Sequence, residues 1–186
     1  MKQIENVSRR GFLKGLGMSS GALVLGVQFS SILGVPRALA RVAEPTVFSP
    51  SVYVQIGLDD IVSIIVHRSE MGQGIRTSIP MIVADELEAD WEKIKVVQGL
   101  GDKKFGSQNT DGSRSIRFNM QRLREMGASV RYMMQHAAAK RWGVEPGSCV
   151  AEQHVVTHSS GKTLAYKDLI DDALTITPPE ADKLKL

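Results

Sequence analysis

The stretch Ile61-Val62-Ser63-Ile64-Ile65-Val66 leads through Glu70-Met71-Gly72-Gln73-Gly74 to apolar residues at Ile79, Ile82, Val83 and Leu87. The first segment is rich in β-branched residues, which suit a pleated, half-buried surface. The last four positions fall at helical spacing, so the passage reads strand, glycine loop, helix. Pro80 lacks a backbone donor and is best tolerated in a first turn, which predicts a regular helix from around Ser78 to near Trp91. Upstream, Val52-Tyr53-Val54-Gln55-Ile56 is also β-rich, and Gly57-Leu58-Asp59-Asp60 supplies turn material, so a hairpin is expected.

Downstream, Ile94-Lys95-Val96-Val97 returns as a strand, and a polar, glycine-containing loop runs from Gly99 to Gly112. Ile116, Met120, Leu123, Gly127, Val130, Met134 and Ala137 then step alternately by four and three, the pattern of one long amphipathic helix. Arg117, Arg122, Arg124, Lys140 and Arg141 lie on its other side, expected as a solvated face or one that meets neighbouring domains or a partner. Gly143 closes the helix. Met120, Met133 and Met134 are expected in the core. Val150 to Thr157 suits one or two short strands, and Tyr166 to Leu174 a short helix. The expected order is β-β-α-β-α-β-(β)-α: an α+β fold, one small domain with two helices packed on a mixed sheet, preceded by a signal segment. The divisions read as signal 1–40, linker 41–51, domain 52–175, and an interdomain linker or truncated tail 176–186.

Composition narrows the function classes. The chain has 186 residues, 42% of them hydrophobic and 23% charged, the profile of a globular protein. Cys149 is the sole cysteine, which excludes an intrachain disulfide framework and a cysteine-only metal cluster. The net charge of +3 hints at nucleic acid, but residues 1–40 hold five basic residues and one acid. The remainder carries 18 basic and 19 acidic residues, so a basic nucleic-acid face is not supported.

Ser8-Arg9-Arg10-Gly11-Phe12-Leu13-Lys14, the mildly apolar run Leu16 to Val35 and the small residues Ala38-Leu39-Ala40 resemble a bacterial twin-arginine signal. The run also has about the ~20 residues a membrane anchor needs, with Gly17 and Gly21 in a helix-packing pattern. Serines and Gln28 dilute it, which favours a weak signal core. Twin-arginine export carries proteins already folded, often with a cofactor inserted, and implies a periplasmic location or the periplasmic face of the inner membrane.

Two loops open helices: Glu70 to Gly74, and Thr110-Asp111-Gly112-Ser113-Arg114-Ser115. Glycine lets backbone approach a ligand, and a first helical turn presents unpaired N–H donors that suit an anion. Gln73 adds an amide able to donate and accept, Ser113 and Ser115 add hydroxyls, and Arg114 a planar fork. Each loop alone also reads as an ordinary cap and turn.

His67-Arg68-Ser69-Glu70-Met71-Gly72-Gln73-Gly74-Ile75-Arg76-Thr77 resembles the large subunit of the xanthine oxidase/aldehyde oxidoreductase family of molybdenum hydroxylases, nearest to the isoquinoline 1-oxidoreductase type. Ala84-Asp85-Glu86-Leu87, the second loop, Gly127-Ala128 and Ala137 to Val144 fit the same pattern, over about residues 8–170. The resemblance implies a molybdopterin-binding domain with Gly72, Gln73, Gly74, Gly112, Ser113, Arg114 and Ser115 at the cofactor, in its cytosine dinucleotide form. It further implies hydroxylation of aldehydes or N-heterocycles with oxygen from water, a glutamate base, and electrons leaving to a partner subunit with 2Fe-2S clusters. Large subunits of this family are several times longer, and no Gly-Val-Gly-Glu-like segment occurs here. The expectation is therefore an amino-terminal portion, inactive alone and completed by the remaining domains of the large subunit. A non-catalytic exported binding module and a truncated remnant stand as alternatives. Glu70 is not assigned as base.

Other motifs carry less. Gly161-Lys162-Thr163 mimics the end of a phosphate loop, but Val156 stands where a glycine is required, so a hairpin turn is expected. His154 and His158 lie in strand-like sequence and need not share a face. His67 is expected to be a hydrogen-bonded structural residue.

Overall fold

A computed structural model describes residues 48–186; the expected signal segment lies outside the described residues. Strands β1 (Phe48–Ser51), β2 (Val54–Ile56), β3 (Val62–Val66) and β4 (Ile94–Gln98) form one sheet in that order. β2 and β3 make the expected hairpin, with Val54 opposite Ile64 and Ile56 opposite Val62. All four of these side chains are buried, so one face of the sheet is the core face. Gly57 and Asp60 close the turn through the Asp60 N–H to Gly57 carbonyl bond of 3.0 Å. β4 runs parallel to β3, Val62 pairing with Ile94 and Val66 with Gln98. Parallel neighbours need a crossover, and helix α1 (Ile75–Leu87) supplies it. Phe48–Ser51, expected as the end of a linker, pairs with β2 as an edge strand.

Helix α1 starts a turn earlier than expected, leaving Pro80 inside it. Gly74 at φ 81° caps the helix, and the Ser78 hydroxyl donates to the Gly74 carbonyl at 3.0 Å. The donor missing at Pro80 would have bonded the Arg76 carbonyl, and Arg76 is an exposed residue, where solvent can replace a lost helix bond at little cost. In return Ile75 and Ile79 join Val83 and Leu87 on one buried face.

The expected long helix is two. Helix α2 (Arg114–Arg117) is a single turn, and α3 (Met120–Trp142) begins after Asn119. Asn119 makes the break: its side-chain amide donates to the carbonyls of Ser115 and Arg114 at 3.0 and 3.3 Å, local bonds that compete with helix continuation. Gly143, at φ 67°, ends α3 as expected. Met133 and Met134 are buried, but Met120 lies exposed at the start of the helix.

The cationic side of α3 is not simply a solvated face. Arg124 Nε lies 2.5 Å from the buried Glu86 carboxylate, Arg122 Nη2 donates to the Tyr53 hydroxyl at 3.1 Å, and Arg141 Nε to Asp172 at 2.6 Å. These partners come from α1, from the residue before β2, and from the last helix.

Strands β5 (Cys149–Glu152), β6 (Val155–His158) and β7 (Thr163–Ala165) make a second, antiparallel sheet, with Gly161 in the expected hairpin turn, followed by α4 (Ile170–Ala173). The His154 N–H donates to the Glu88 carbonyl at 2.8 Å and the Tyr166 hydroxyl to the Leu87 carbonyl at 2.7 Å, fastening this sheet to the end of α1. His154 is fully buried against Tyr166, whereas the His158 ring bonds Ser160 at the surface. At the carboxyl end, Ile176 packs on the core and the Lys185 carbonyl accepts from Arg131 at 2.5 Å.

Candidate functional site

β3 and β4 are parallel neighbours, so the loops that follow them leave the same end of the sheet. One runs from His67 to Gly74 into α1; the other from Gly99 to Ser113 into α2. Three side chains bind them together. The Ser69 N–H donates to the Thr110 hydroxyl at 3.0 Å, and the Arg68 guanidinium donates to the Asn109 carbonyl. The Gln108 amide donates to the carbonyls of Leu100 and His67 at 2.9 and 3.3 Å.

Between the loops lies a cleft of about 410 Å³. Met71, Gln73, Ile75 and Ser78 form its one wall; Thr110, Asp111, Gly112, Ser113, Ser115 and Ile116 form the other. Four of the seven residues expected at a cofactor, Gln73, Gly112, Ser113 and Ser115, therefore line a single space. Gly72 and Gly74 flank Gln73 at φ 92° and 81°, and nothing lies within 4 Å of where a β-carbon would stand on either. A side chain there would be strained and would occupy open space beside the cleft. Arg114 does not line it; its Nε sits 3.5 Å from Asp111 Oδ1, both side chains about half exposed.

The first loop departs from the anion cradle expected of it. Glu70 Oε1 accepts from the Gly72 and Gly74 amides at 2.7 and 3.1 Å, and Oε2 from the Arg76 amide at 3.0 Å. The donors expected to meet a ligand thus meet the chain's own carboxylate. Bonds from the Arg76, Gly74 and Gly72 amides hold that carboxyl below the usual glutamate range. Gln73 is likewise engaged: its Oε1 accepts from the Met71 N–H at 2.6 Å and its Nε2 donates to the Ser69 carbonyl at 2.8 Å. Ser113 and Ser115 differ, since among the described residues their hydroxyls have no hydrogen-bond partner.

Behind the loops, His67 is buried with its ring edge-on to Tyr53 at 5.2 Å. Arg68 Nε donates to His67 Nε2 at 3.2 Å, so the histidine is hydrogen-bonded, as expected, while among the described residues its Nδ1 has no partner. Burial first, then the charges of Arg68 and Arg122, push its pKa down to about 4. The neutral ring suits its role as acceptor. Sequence reasoning did not single out Arg68, Gln108 or Asn109. The one signal was a polar run, Gln108-Asn109-Thr110, at the close of an otherwise glycine-rich loop.

The chain matches the molybdopterin cofactor-binding domain family over residues 1–184. It is 36% identical over 176 residues to isoquinoline 1-oxidoreductase subunit beta of Brevundimonas diminuta, covering 88% of this chain and 22% of that protein. Against a membrane-bound aldehyde dehydrogenase (pyrroloquinoline-quinone) of Gluconacetobacter polyoxogenes the identity is 31%, over 97% of this chain and 24% of that one. The chain thus spans under a quarter of the length of these curated relatives. The fold is shared with the solved structure of Cu,Mo-CO dehydrogenase, with a TM-score of 0.53 at 22% identity, over 62% of this chain and 15% of that one. By the family match over nearly its whole length, the chain belongs to the molybdopterin cofactor-binding domain family.

Proposed function

We propose that this chain supplies part of the site for molybdopterin, in its cytosine dinucleotide form, within a molybdenum hydroxylase that oxidises aldehydes or N-heterocycles and passes electrons to 2Fe-2S clusters on a partner subunit. The cleft between the Gly72–Gly74 and Gly112–Ser115 loops carries this reading, since the Gln73 amide and the Ser113 and Ser115 hydroxyls line one space, with the open faces of Gly72 and Gly74 flanking Gln73. Those groups fit a flat, hydrogen-bonding heterocycle. Ser113 and Ser115 would bind its polar edge, and the glycines at 72 and 74 would let its ring approach the backbone. Gln73, held by its bonds to Met71 and Ser69, would orient the group through the second N–H and second lone pair of its amide. When bound, the cofactor supplies two-electron redox chemistry at molybdenum.

Glu70 is a poor base in this arrangement, because its oxygens accept from three amides and its carboxyl is held ionised. The base and most of the substrate pocket belong, on this reading, to the remaining domains of the large subunit. Export by the twin-arginine route, placing the assembly in the periplasm, completes the proposal and rests on Arg9 and Arg10.

The test is coexpression of the chain with those domains and an iron–sulfur subunit in a host that makes the dinucleotide cofactor. Molybdenum and released cytosine nucleotide are then measured per mole of purified complex. S113A/S115A and Q73A are expected to lower both while the complex still assembles. Full loading in both variants, or no molybdenum in the wild type, would overturn the reading.

A further inference from the structure

The Gly72, Gly74 and Arg76 amides converge on one carboxylate from two glycines at positive φ and the first turn of a 13-residue helix. Such a concave set of N–H groups is an anion-binding nest. No acidic residue lies in the first turn of α1, so Glu70, four residues ahead of its cap, supplies the charge that the helix end favours. Met71 and Gln73 then complete a closed ring of bonds around the turn, through the Gln73 side chain.

We infer that Glu70 is a positioning residue, the resident anion of the first loop: it holds the turn in its receptive shape and shuts the nest to free anions. The last step, that the loop therefore meets its ligand through Gln73 and the glycine faces, rests on the cofactor reading above; the rest does not. An intramolecular carboxylate acts at a high effective concentration, commonly in the millimolar range or beyond, so dissolved phosphate competes poorly. Gly72 and Gly74 keep their open faces because the carboxylate approaches from the side of their amides. Gln73, though exposed, is held to one orientation by two bonds that depend on the same turn.

The experiment follows the backbone amide resonances of Gly72, Gly74 and Arg76 in the full 186-residue chain, labelled with nitrogen-15. In the wild type these three are expected to ignore added inorganic phosphate or acetate. They should titrate together with acid, at a midpoint below the ordinary glutamate value. E70A is expected to shift all three and to bind acetate or phosphate at those amides at least about tenfold more tightly than wild type. Acetate should return them toward their wild-type positions. E70Q, which keeps the bulk but not the charge, is expected to abolish the acid titration and keeps the test open if E70A does not fold. Wild-type amides that move with phosphate as readily as those of E70A would overturn the inference, as would three amides that fail to titrate together. Loss or retention of molybdenum in S113A/S115A is read on different residues, so failure of the cofactor reading leaves these amide results standing.

Discussion

A β-carbon at Gly127 would stand 2.4 Å from the carbonyl oxygen of Val83. The same atom would lie 2.8 Å from Glu86 Cβ and 3.1 Å from the Leu87 nitrogen, so α3 crosses α1 backbone against backbone. Glycine in a helix interior costs about 1 kcal/mol relative to alanine, and here close approach of the helices offsets that cost. None of these three atoms is the far end of a flexible side chain. G127A is therefore expected to force the helices apart and to lose about 1–3 kcal/mol net of the propensity gain. Urea denaturation should show a lower midpoint at unchanged slope. A variant as stable as wild type would mean that the crossing yields cheaply.

Much of this frame was legible in the residues. The β-branched richness of Val52–Ile56 and Ile61–Val66, with turn residues Gly57–Asp60 between them, identifies the hairpin, because such residues suit a half-buried pleated surface on either side of a turn. Pro80 points to a helix start near Ser78, whereas the fold follows the spacing of Ile75 and Ile79, the missing bond falling at Arg76, an exposed residue. Periodicity could not reveal the break before Met120: Ile116 keeps the helical spacing, and only the direction of the Asn119 amide separates two helices from one. The site divides the same way. Loop composition placed Gln73, Gly112, Ser113 and Ser115 together. That Glu70 fills the nest depends on where one flexible side chain turns, which spacing does not encode.

His67 makes acid stability depend on the site's interior. Its folded pKa of about 4 lies below the ordinary value of 6.5. The unfolded chain thus takes up a proton before the folded one does as pH falls. The sign follows: stability from a neutral His67 is complete above the ordinary histidine value and declines as pH drops from there toward 4. The upper bound is about 3 kcal/mol, at about 1.4 kcal/mol for each unit of pKa. H67Q, which keeps an acceptor for Arg68, is expected to lessen the loss of stability between about pH 7 and about pH 5. It should not abolish it, because burial lowers the pKa of His154 as well. Denaturant midpoints at the two pH values, compared between wild type and H67Q, check this; identical slopes would assign the dependence elsewhere.

Arg68 couples that histidine to the cleft. Its guanidinium is buried and bridges the His67 ring to the Asn109 carbonyl, so one side chain spans both loops. R68A leaves that carbonyl and the His67 acceptor without partners, a cost of about 1–3 kcal/mol for buried polar groups. The effect is expected to be local. Hydrogen exchange should quicken at Ser69 to Gln73 and at Asn109 to Ser115, while amides along α1 and α3 keep their protection. R68K retains the charge but not the two-ended fork, so it should loosen the loops nearly as much. The two variants part at His67: removing the charge in R68A raises its pKa, whereas R68K holds it low. Exchange that quickens across the whole protein, or a His67 titration unmoved in R68A, would show that Arg68 serves general stability and does not set the spacing of the loops.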